Sequence, residues 1–274
     1  MEGLFQFTEG EALVFFAVLI RFSTLLVVLP ITGDRMVPGP VKLVLSLMIS
    51  WICLPGLLAS GRASVSEAQV WGASLFGIAS VAALEALVGF ALGFVSRILF
   101  DSLTFAGNMV GTVMGFASAS IYDPHQESQS QVVAEFLMAV SMLLFLSFDG
   151  HHLMLKAALS SYDWVPMGGV TLSEVFSTRL IGMSSEMIRL GTQLAAPVSM
   201  AIFAVNIAFA VLARAMPQLN IMVISFSITA IIGLVVMLMV LPDFLGSSSG
   251  VYAQLGDWMK GILQGMSPAG GRSG

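Results

Sequence analysis

The chain has 274 residues, 57% of them hydrophobic and only 10% charged, with a mean hydropathy of +0.94 and a formal net charge of -5. A soluble domain carries about 25% charged residues, so too little polar surface exists here to clothe a water-facing shell, and an integral membrane protein follows. There is no basic patch and no interleaving of basic with aromatic residues, which argues against nucleic acid as a partner.

The N-terminal stretch MEGLFQFTEGEALVFF has no positively charged region and no small-residue cleavage site, so it does not read as a signal peptide. The first apolar segment, 12–31, is therefore expected to stay embedded. Glu2, Glu9 and Glu11 precede it, and Arg35 and Lys42 follow it. The positive-inside rule then places the N-terminus outside the cytoplasm. Further apolar segments cover 41–59, 68–100, 132–148, 176–212 and 219–241, with a weaker one beginning near His152. The turn-forming stretches ITGDRMVPGP, ASGRAS, YDPHQESQS, DWVPMGG and MPQLN separate them. Cys53 is the only cysteine, so no intrachain disulfide can form, and a buried structural thiol is expected. The 18 methionines suit irregular packing and moving surfaces.

Two segments are too long for simple spans, which need about 20 residues. As single helices, 68–100 would run about 50 Å and 173–214 about 60 Å. Pro197 offers a kink in the second, because proline removes a backbone donor and crowds the preceding turn. With the tight joint at Met216, Pro217 and Gln218, the second segment and its successor read as an extended hairpin. After Pro242, Val251, Tyr252, Leu255, Trp258, Met259, Ile262 and Leu263 form one helical stripe. It is expected to lie on the membrane or dock on a partner, with a disordered SPAGGRSG tail beyond it.

Arg21, Glu85, Arg97, Asp101, Glu135 and Arg214 all lie in or at the ends of apolar runs. A charge at the bilayer centre costs about 2.5–3.5 kcal/mol on insertion scales, so these residues are expected to face protein or water. Arg97 and Asp101 sit four apart on one helix face, where they can neutralise one another. Arg21 and Glu85 have no local partner, which points to an ion pair between helices or subunits, or to a conduction path.

The stretch GNMVGTVMGFASASIYDPHQESQSQ, at 107–131, carries glycine at every fourth position. Gly107, Gly111 and Gly115 would line one face, like the small-residue ridges that let helices approach closely. Each costs about 1 kcal/mol of helix propensity, which close packing offsets. The plain reading is a packed helix end followed by a loop.

Catalytic constellations are not found: there is no HExxH, no P-loop and no G-x-S-x-G. His151 and His152 are adjacent, so on a helix they are expected to point about 100° apart and not to chelate one ion together. With Asp149 and Gly150 they read as an interfacial anchor rather than a metal site. Glu85 and Glu135 are isolated carboxylates. The chain therefore reads as a non-enzyme, with no cofactor and no metal.

Four stretches resemble the FliR/SctT family of export-gate membrane proteins. These are Arg21 followed by LPITGDRMVPGPVKLVLS, then MGFASASIYDP at 114–124, LLFLSFDGHHLML at 143–155, and RAMPQLNIMVISFSI at 214–228. Their order and spacing match as well, and the resemblance covers about 11–241. Within it, 184–241 is similar to the small two-helix protein FliQ, and the earlier part is more loosely similar to FliP. The resemblance implies an all-α polytopic membrane protein of long kinked hairpins within a larger helical assembly. It divides the chain into a FliP-like part (1–172), a FliQ-like hairpin (173–245) and an amphipathic tail (246–274). It implies FliP-like and FliQ-like partners, other export-apparatus membrane proteins, surrounding lipid, and unfolded flagellar proteins as the cargo crossing the inner membrane.

The resemblance also implies a pore plug at Met114, Gly115, Phe116, Ala117, Ser118, Ala119, Ser120, Ile121 and Tyr122. Small residues there would pack tightly and then swing away. Phe116, Ile121 and Tyr122 would supply bulk, and Met114 a deformable filler. The alternative class is a secondary transporter or ion channel acting alone, because broken helices and embedded charges occur there too. A third reading is a scaffold without a pore.

Overall fold

The structure is a computed structural model that describes residues 8–30, 37–116, 132–216, 218 and 221–268. Among these residues all regular structure is helical. The elements are α1 (Glu9–Val28), α2 (Gly39–Ala59), α3 (Val65–Gly72), α4 (Leu75–Val113), α5 (Val132–Ser147), α6 (Gly150–Trp164), α7 (Glu174–Ala215) and α8 (Ile221–Met266). Five of them are long and apolar enough to cross a membrane, or six if the bent pair α5–α6 counts as one span.

Local chemistry explains most of the boundaries. Thr8 starts α1 through a capping box. Its hydroxyl accepts from the Glu11 N–H at 3.3 Å, and its own N–H donates to Glu11 Oε2 at 2.9 Å. Glu9 and Glu11 also place negative charge where the helix dipole is positive. Ser64 caps α3 by accepting from the Glu67 N–H. The hydroxyl of Ser74 accepts from the Gly77 N–H at 3.0 Å, so a new helix begins just past Gly72. Asp149, at φ 54°, breaks the apolar run between α5 and α6.

Two boundaries differ from those expected from sequence, while Pro197 stands inside one long helix as the extended hairpin requires. The 68–100 segment is broken near its start and then continues to Val113, carrying Gly107 and Gly111 inside α4. No proline interrupts 75–113, and glycine's propensity cost is small beside the packing gained along the helix. At Pro197 the chain remains helical, within the 42 residues of α7. Likewise α8 runs through Pro242 for 46 residues, so the expected C-terminal amphipathic helix is the end of α8 rather than a separate element.

The chain forms two compact units. The first comprises 1–97, 149–183 and 254–274, the second 98–148 and 184–253. In the first unit, α1 packs against α2 and α3. Its helix α1 buries Val14, Ala17, Val18, Phe22, Leu25 and Leu26. The end of α8 is also part of this core, where Leu255, Met259, Ile262, Leu263 and Met266 are buried. The stretch before α7 ties it down. The Thr171 N–H donates to the Met266 carbonyl at 3.0 Å, the Ser173 N–H to the Gly265 carbonyl at 3.1 Å, and the Ser173 hydroxyl to the same carbonyl at 2.7 Å. Leu255, Met259, Ile262 and Leu263 of the apolar stripe expected to meet a membrane or a partner are thus buried within their own chain, with Trp258 half-buried. The SPAGGRSG tail falls largely outside the described residues.

The core of the second unit joins α4, α5, α7 and α8 through residues that include Ala106, Val110, Met114, Leu137, Val198 and Met237. On α7, Met200, Phe203, Ile207 and Val211 face outward as one stripe.

Candidate functional site

The end of α4 is built from close approaches. A side chain at Gly107 would fall on the backbone of Ala134, so glycine there lets α5 lie directly against α4. Gly111 is buried one turn further on. Gly115 plays a different part from the ridge expected for it. It lies beyond the last helical residue at φ +90°, a conformation that L side chains rarely adopt, and it turns the chain out of α4.

Of the plug segment the structure describes Met114, Gly115 and Phe116; Ala117, Ser118, Ala119, Ser120, Ile121 and Tyr122 lie outside the described residues. Met114 is fully buried and belongs to the unit's core. Three residues of α8 meet this foot. The Thr229 hydroxyl donates toward the Met114 carbonyl at 3.1 Å. The Phe226 ring stands edge-on to Phe116, with centroids 6.0 Å apart and planes at 88°. Gly233 faces the Met114 side chain so closely that a Cβ there would lie 2.7–2.9 Å from its Cγ, Cε and Sδ. Sequence reasoning singled out none of the three. The only local signal is a threonine within an otherwise apolar run.

The embedded charges separate into distinct settings. Arg21 of α1 and Glu85 of α4 are both fully buried. Arg21 Nε lies 2.6 Å from Glu85 Oε2, and Nη2 lies 3.0 Å from Oε1. Arg21 Nη1 donates to the Ser161 hydroxyl at 2.8 Å, and Nη2 also reaches the Val165 carbonyl at 3.3 Å. Its guanidinium carbon stands 3.7 Å from the centre of the Tyr162 ring. Glu85 Oε1 further accepts from the Gly168 N–H at 3.1 Å. One buried cluster therefore joins α1, α4, α6 and the turn after α6. The approach of α1 to α4 beside it depends on Gly89, where a side chain would fall on the Arg21 carbonyl. Arg97 and Asp101 are half-buried on α4, while Glu135 and Arg214 are exposed on this chain.

His151 and His152 do not diverge as adjacent helical residues were expected to. Their ring centroids are 4.1 Å apart, and with Asp149 they bring possible ligand atoms within 4.8 Å of one another. The reason is local: His152 Nδ1 is drawn to Asp149 Oδ1 at 3.1 Å, back over the start of α6. The positive end of the α6 dipole disfavours a cation at this place, and the geometry alone does not make a metal site.

An all-helical chain with five or six apolar helices and a buried, fully paired charge cluster is a polytopic integral membrane protein. Residues 12–255 match the family of bacterial export proteins, family 1, and the chain belongs to that family. It is 31% identical to the flagellar biosynthetic protein FliR of Escherichia coli (strain K12), over 83% of this chain and 84% of that protein. It is 28% identical to FliR of Pectobacterium carotovorum subsp. carotovorum, over 92% and 94% of the two chains. With FliR of Bacillus subtilis (strain 168) the identity is 24%, over 91% and 94%. The chain is a FliR-family component of the flagellar export apparatus, and its apolar helices fit an inner-membrane protein. The family is one of export proteins and not of known enzymes.

Proposed function

We propose that this chain is one subunit of a hetero-oligomeric type III export gate, assembled with FliP-like and FliQ-like proteins beside other membrane components of the apparatus. Unfolded flagellar proteins pass through the centre of that assembly. The observation that carries the reading is the α7–α8 hairpin. The 42 residues of α7 extend about 63 Å, roughly twice the hydrocarbon core of a bilayer. Its exposed apolar residues run from Val175 through Ile181, Ile188, Met200 and Phe203 to Val211, about 54 Å of helix, so lipid cannot cover all of them, whereas helices of similar length on neighbouring subunits can. In this reading 1–172 is the FliP-like part, 173–245 the FliQ-like hairpin, and 246–274 the tail. The N-terminus lies on the periplasmic side.

Met114 to Phe116 are the foot of the seal that closes the resting channel, and the seal continues through Tyr122. The apolar bulk of Phe116, Ile121 and Tyr122 excludes ions, and the small residues between them permit close packing.

Co-expression with FliP- and FliQ-like partners tests the assembly. Native mass spectrometry is expected to find one copy of this chain per complex. A lone monomer or a homo-oligomer in cells making the partners would overturn the reading, and substrate-dependent flux by this chain alone in liposomes would favour a transporter instead. Deleting 115–121 is expected to make the membrane leak ions while export partly survives. An intact ion barrier after that deletion would remove the seal.

A further inference from the structure

On α4, Asp101, Thr104, Asn108 and Thr112 recur at i, i+3, i+7 and i+11, so they form one row along a single helix face, about 16 Å long. The opposite face, with Leu103, Ala106 and Val110, is buried in the core of the second unit. The row points away from that core: Asn108 and Thr112 are exposed, and Asp101 and Thr104 are half-buried. In a chain that is 57% hydrophobic, such a row needs water or polar partners.

The neighbouring helices show which it meets. α5 lies beside the same stretch: Gly107 meets Ala134 at one end, and the Phe100 and Phe145 rings meet at the other, with centroids 5.5 Å apart. At this height the outward side chains of α5 include Val132, Phe136 and Leu143, all exposed, with Glu135 the charge among them. On the other flank a side chain at Gly191 of α7 would fall on Phe105 and the Ser102 carbonyl, and the next two residues, Thr192 and Gln193, are exposed and polar. Bulk water all round would wet the apolar row of α5, and lipid all round would strand the polar row of α4. The two rows therefore face different media, α5 lipid or a neighbouring subunit, and α4 water.

α4 is not shaped to take a partner helix on this face. Its small residues Ala106, Gly107 and Gly111 are buried, and Gly107 already lies against α5. The row carries longer side chains, which keep a second helix at a distance. The Thr104 hydroxyl donates to the Phe100 carbonyl at 3.1 Å and the Thr112 hydroxyl to the Asn108 carbonyl at 2.8 Å, so each presents its oxygen as an acceptor. The Asn108 side-chain amide makes no hydrogen bond among the described residues and offers both a donor and an acceptor. These groups match the backbone N–H and C=O of an extended polypeptide. Asn108 is separated from Thr104 and from Thr112 by about 6 Å along the helix, whereas same-side groups of an extended chain recur about every 6.7 Å. The two registers drift apart, so the row touches a passing chain at a few points without gripping it along its length.

We propose that Asp101, Thr104, Asn108 and Thr112 line the water-filled path of the gate and contact the backbone of the extended polypeptide that passes along it. This inference rests on the reading of the chain as a gate subunit.

The test is thiol labelling in cells making the whole gate, in a Cys53→Ser background, with the amount of this chain in the membrane and its assembly with FliP- and FliQ-like partners measured alongside. Thr104→Cys, Asn108→Cys and Thr112→Cys, made singly, are compared with Val132→Cys, Phe136→Cys and Leu143→Cys. A charged, membrane-impermeant methanethiosulfonate is applied to spheroplasts and to inverted vesicles, so that both membrane faces are reached. The α4 cysteines are expected to react at least about tenfold faster, because a thiol ionises more readily in water than in apolar surroundings. A stalled cargo, its trailing end fused to a domain too stable to unfold, is expected to slow that labelling severalfold. Reagent bound at Asn108→Cys is expected to halt export.

A second arm uses no label. Asn108→Leu combined with Thr112→Val is expected to lower export about three- to tenfold with the chain still abundant, and Asn108→Gln combined with Thr112→Ser to stay near wild type. If the α4 cysteines react no faster than those of α5, the row is covered by protein or lipid, and the lining falls while the gate reading stands. Fast labelling that stalled cargo does not slow, or undiminished export in the Asn108→Leu, Thr112→Val variant, places the row on water away from the cargo and also overturns the lining. If the chain does not assemble with the partners, the gate reading falls and the lining with it.

Discussion

Arg21 and Glu85, 64 residues apart in the chain, meet as a doubly bonded ion pair with both side chains shut away from solvent. Neither charge has a neighbour in sequence that answers it. Each is instead satisfied by several groups at once: Arg21 by Glu85, Ser161 and the Val165 carbonyl, Glu85 also by the Gly168 N–H. Removing one partner strands the other. Arg21→Met or Glu85→Leu alone is expected to cost about 3–5 kcal/mol, whereas the double replacement by apolar residues is expected to cost much less. Thermal unfolding of the detergent-solubilised complex, read as a double-mutant cycle, checks this. Additive losses in the double variant would mean that the pair is not coupled.

Tyr162 contributes the face of its ring rather than its hydroxyl. The ring centre lies 3.7 Å from the Arg21 guanidinium carbon, while the buried hydroxyl has no hydrogen-bond partner among the described residues. Tyr162→Phe is therefore expected to be neutral or slightly stabilising, and Tyr162→Leu to lose about 2 kcal/mol from the desolvated cation–π contact. The same unfolding measurement distinguishes them. Equal losses for both variants would assign the role to the hydroxyl.

Two glycines of the 107–115 stretch are expected to fail in different ways. Gly107→Val would drive a branched side chain into the Ala134 backbone and separate α4 from α5, at about 1–3 kcal/mol. Gly115→Ala meets only the Phe226 ring, at 3.3 Å, but must hold φ +90°, at about 1–2 kcal/mol. Gly115→Asn, which tolerates positive φ better, should recover part of the second loss. A Gly107→Val chain that accumulates and melts like wild type would show that the helices do not meet there.

The end of α8 is expected to matter for folding rather than for membrane attachment. Met259 and Ile262 are 1% and 0% exposed, so Met259→Lys or Ile262→Lys would bury an unpaired charge and sharply reduce the amount of protein in the membrane. Lys at exposed Gln264 should be tolerated. Protease digestion of membranes followed by immunoblotting measures both. Wild-type accumulation of the two core variants would return the stripe to the membrane surface.

Much of this architecture is legible in local chemistry. Composition alone determines that the chain lives in a membrane, because too few polar residues exist to cover it. The apolar runs and their turn-forming separators place the α5–α6 break at Phe148 and Asp149 and the hairpin joint near Met216. Both depend on the conformational limits of the residues that stand there. The stripe at Leu255, Met259, Ile262 and Leu263 is likewise read correctly as one face of a helix.

What covers that stripe is decided only by the tertiary structure. Periodicity shows that a face must be buried but carries no address for the surface that buries it, and here Leu255, Met259, Ile262 and Leu263 are buried within the first unit of their own chain. The pairing of Arg21 with Glu85 is undetermined for the same reason, since charge requires a partner without naming one. The continuation of α4 through Gly107 and Gly111, and of α8 through Pro242, reflects competition between terms of different range. A weak helix former costs about 1–3 kcal/mol locally, which packing along a long helix can outweigh. Thr229 is the sharpest case. In sequence it is one hydroxyl in an apolar run, and only the placement of α8 against the end of α4 reveals the carbonyl it serves.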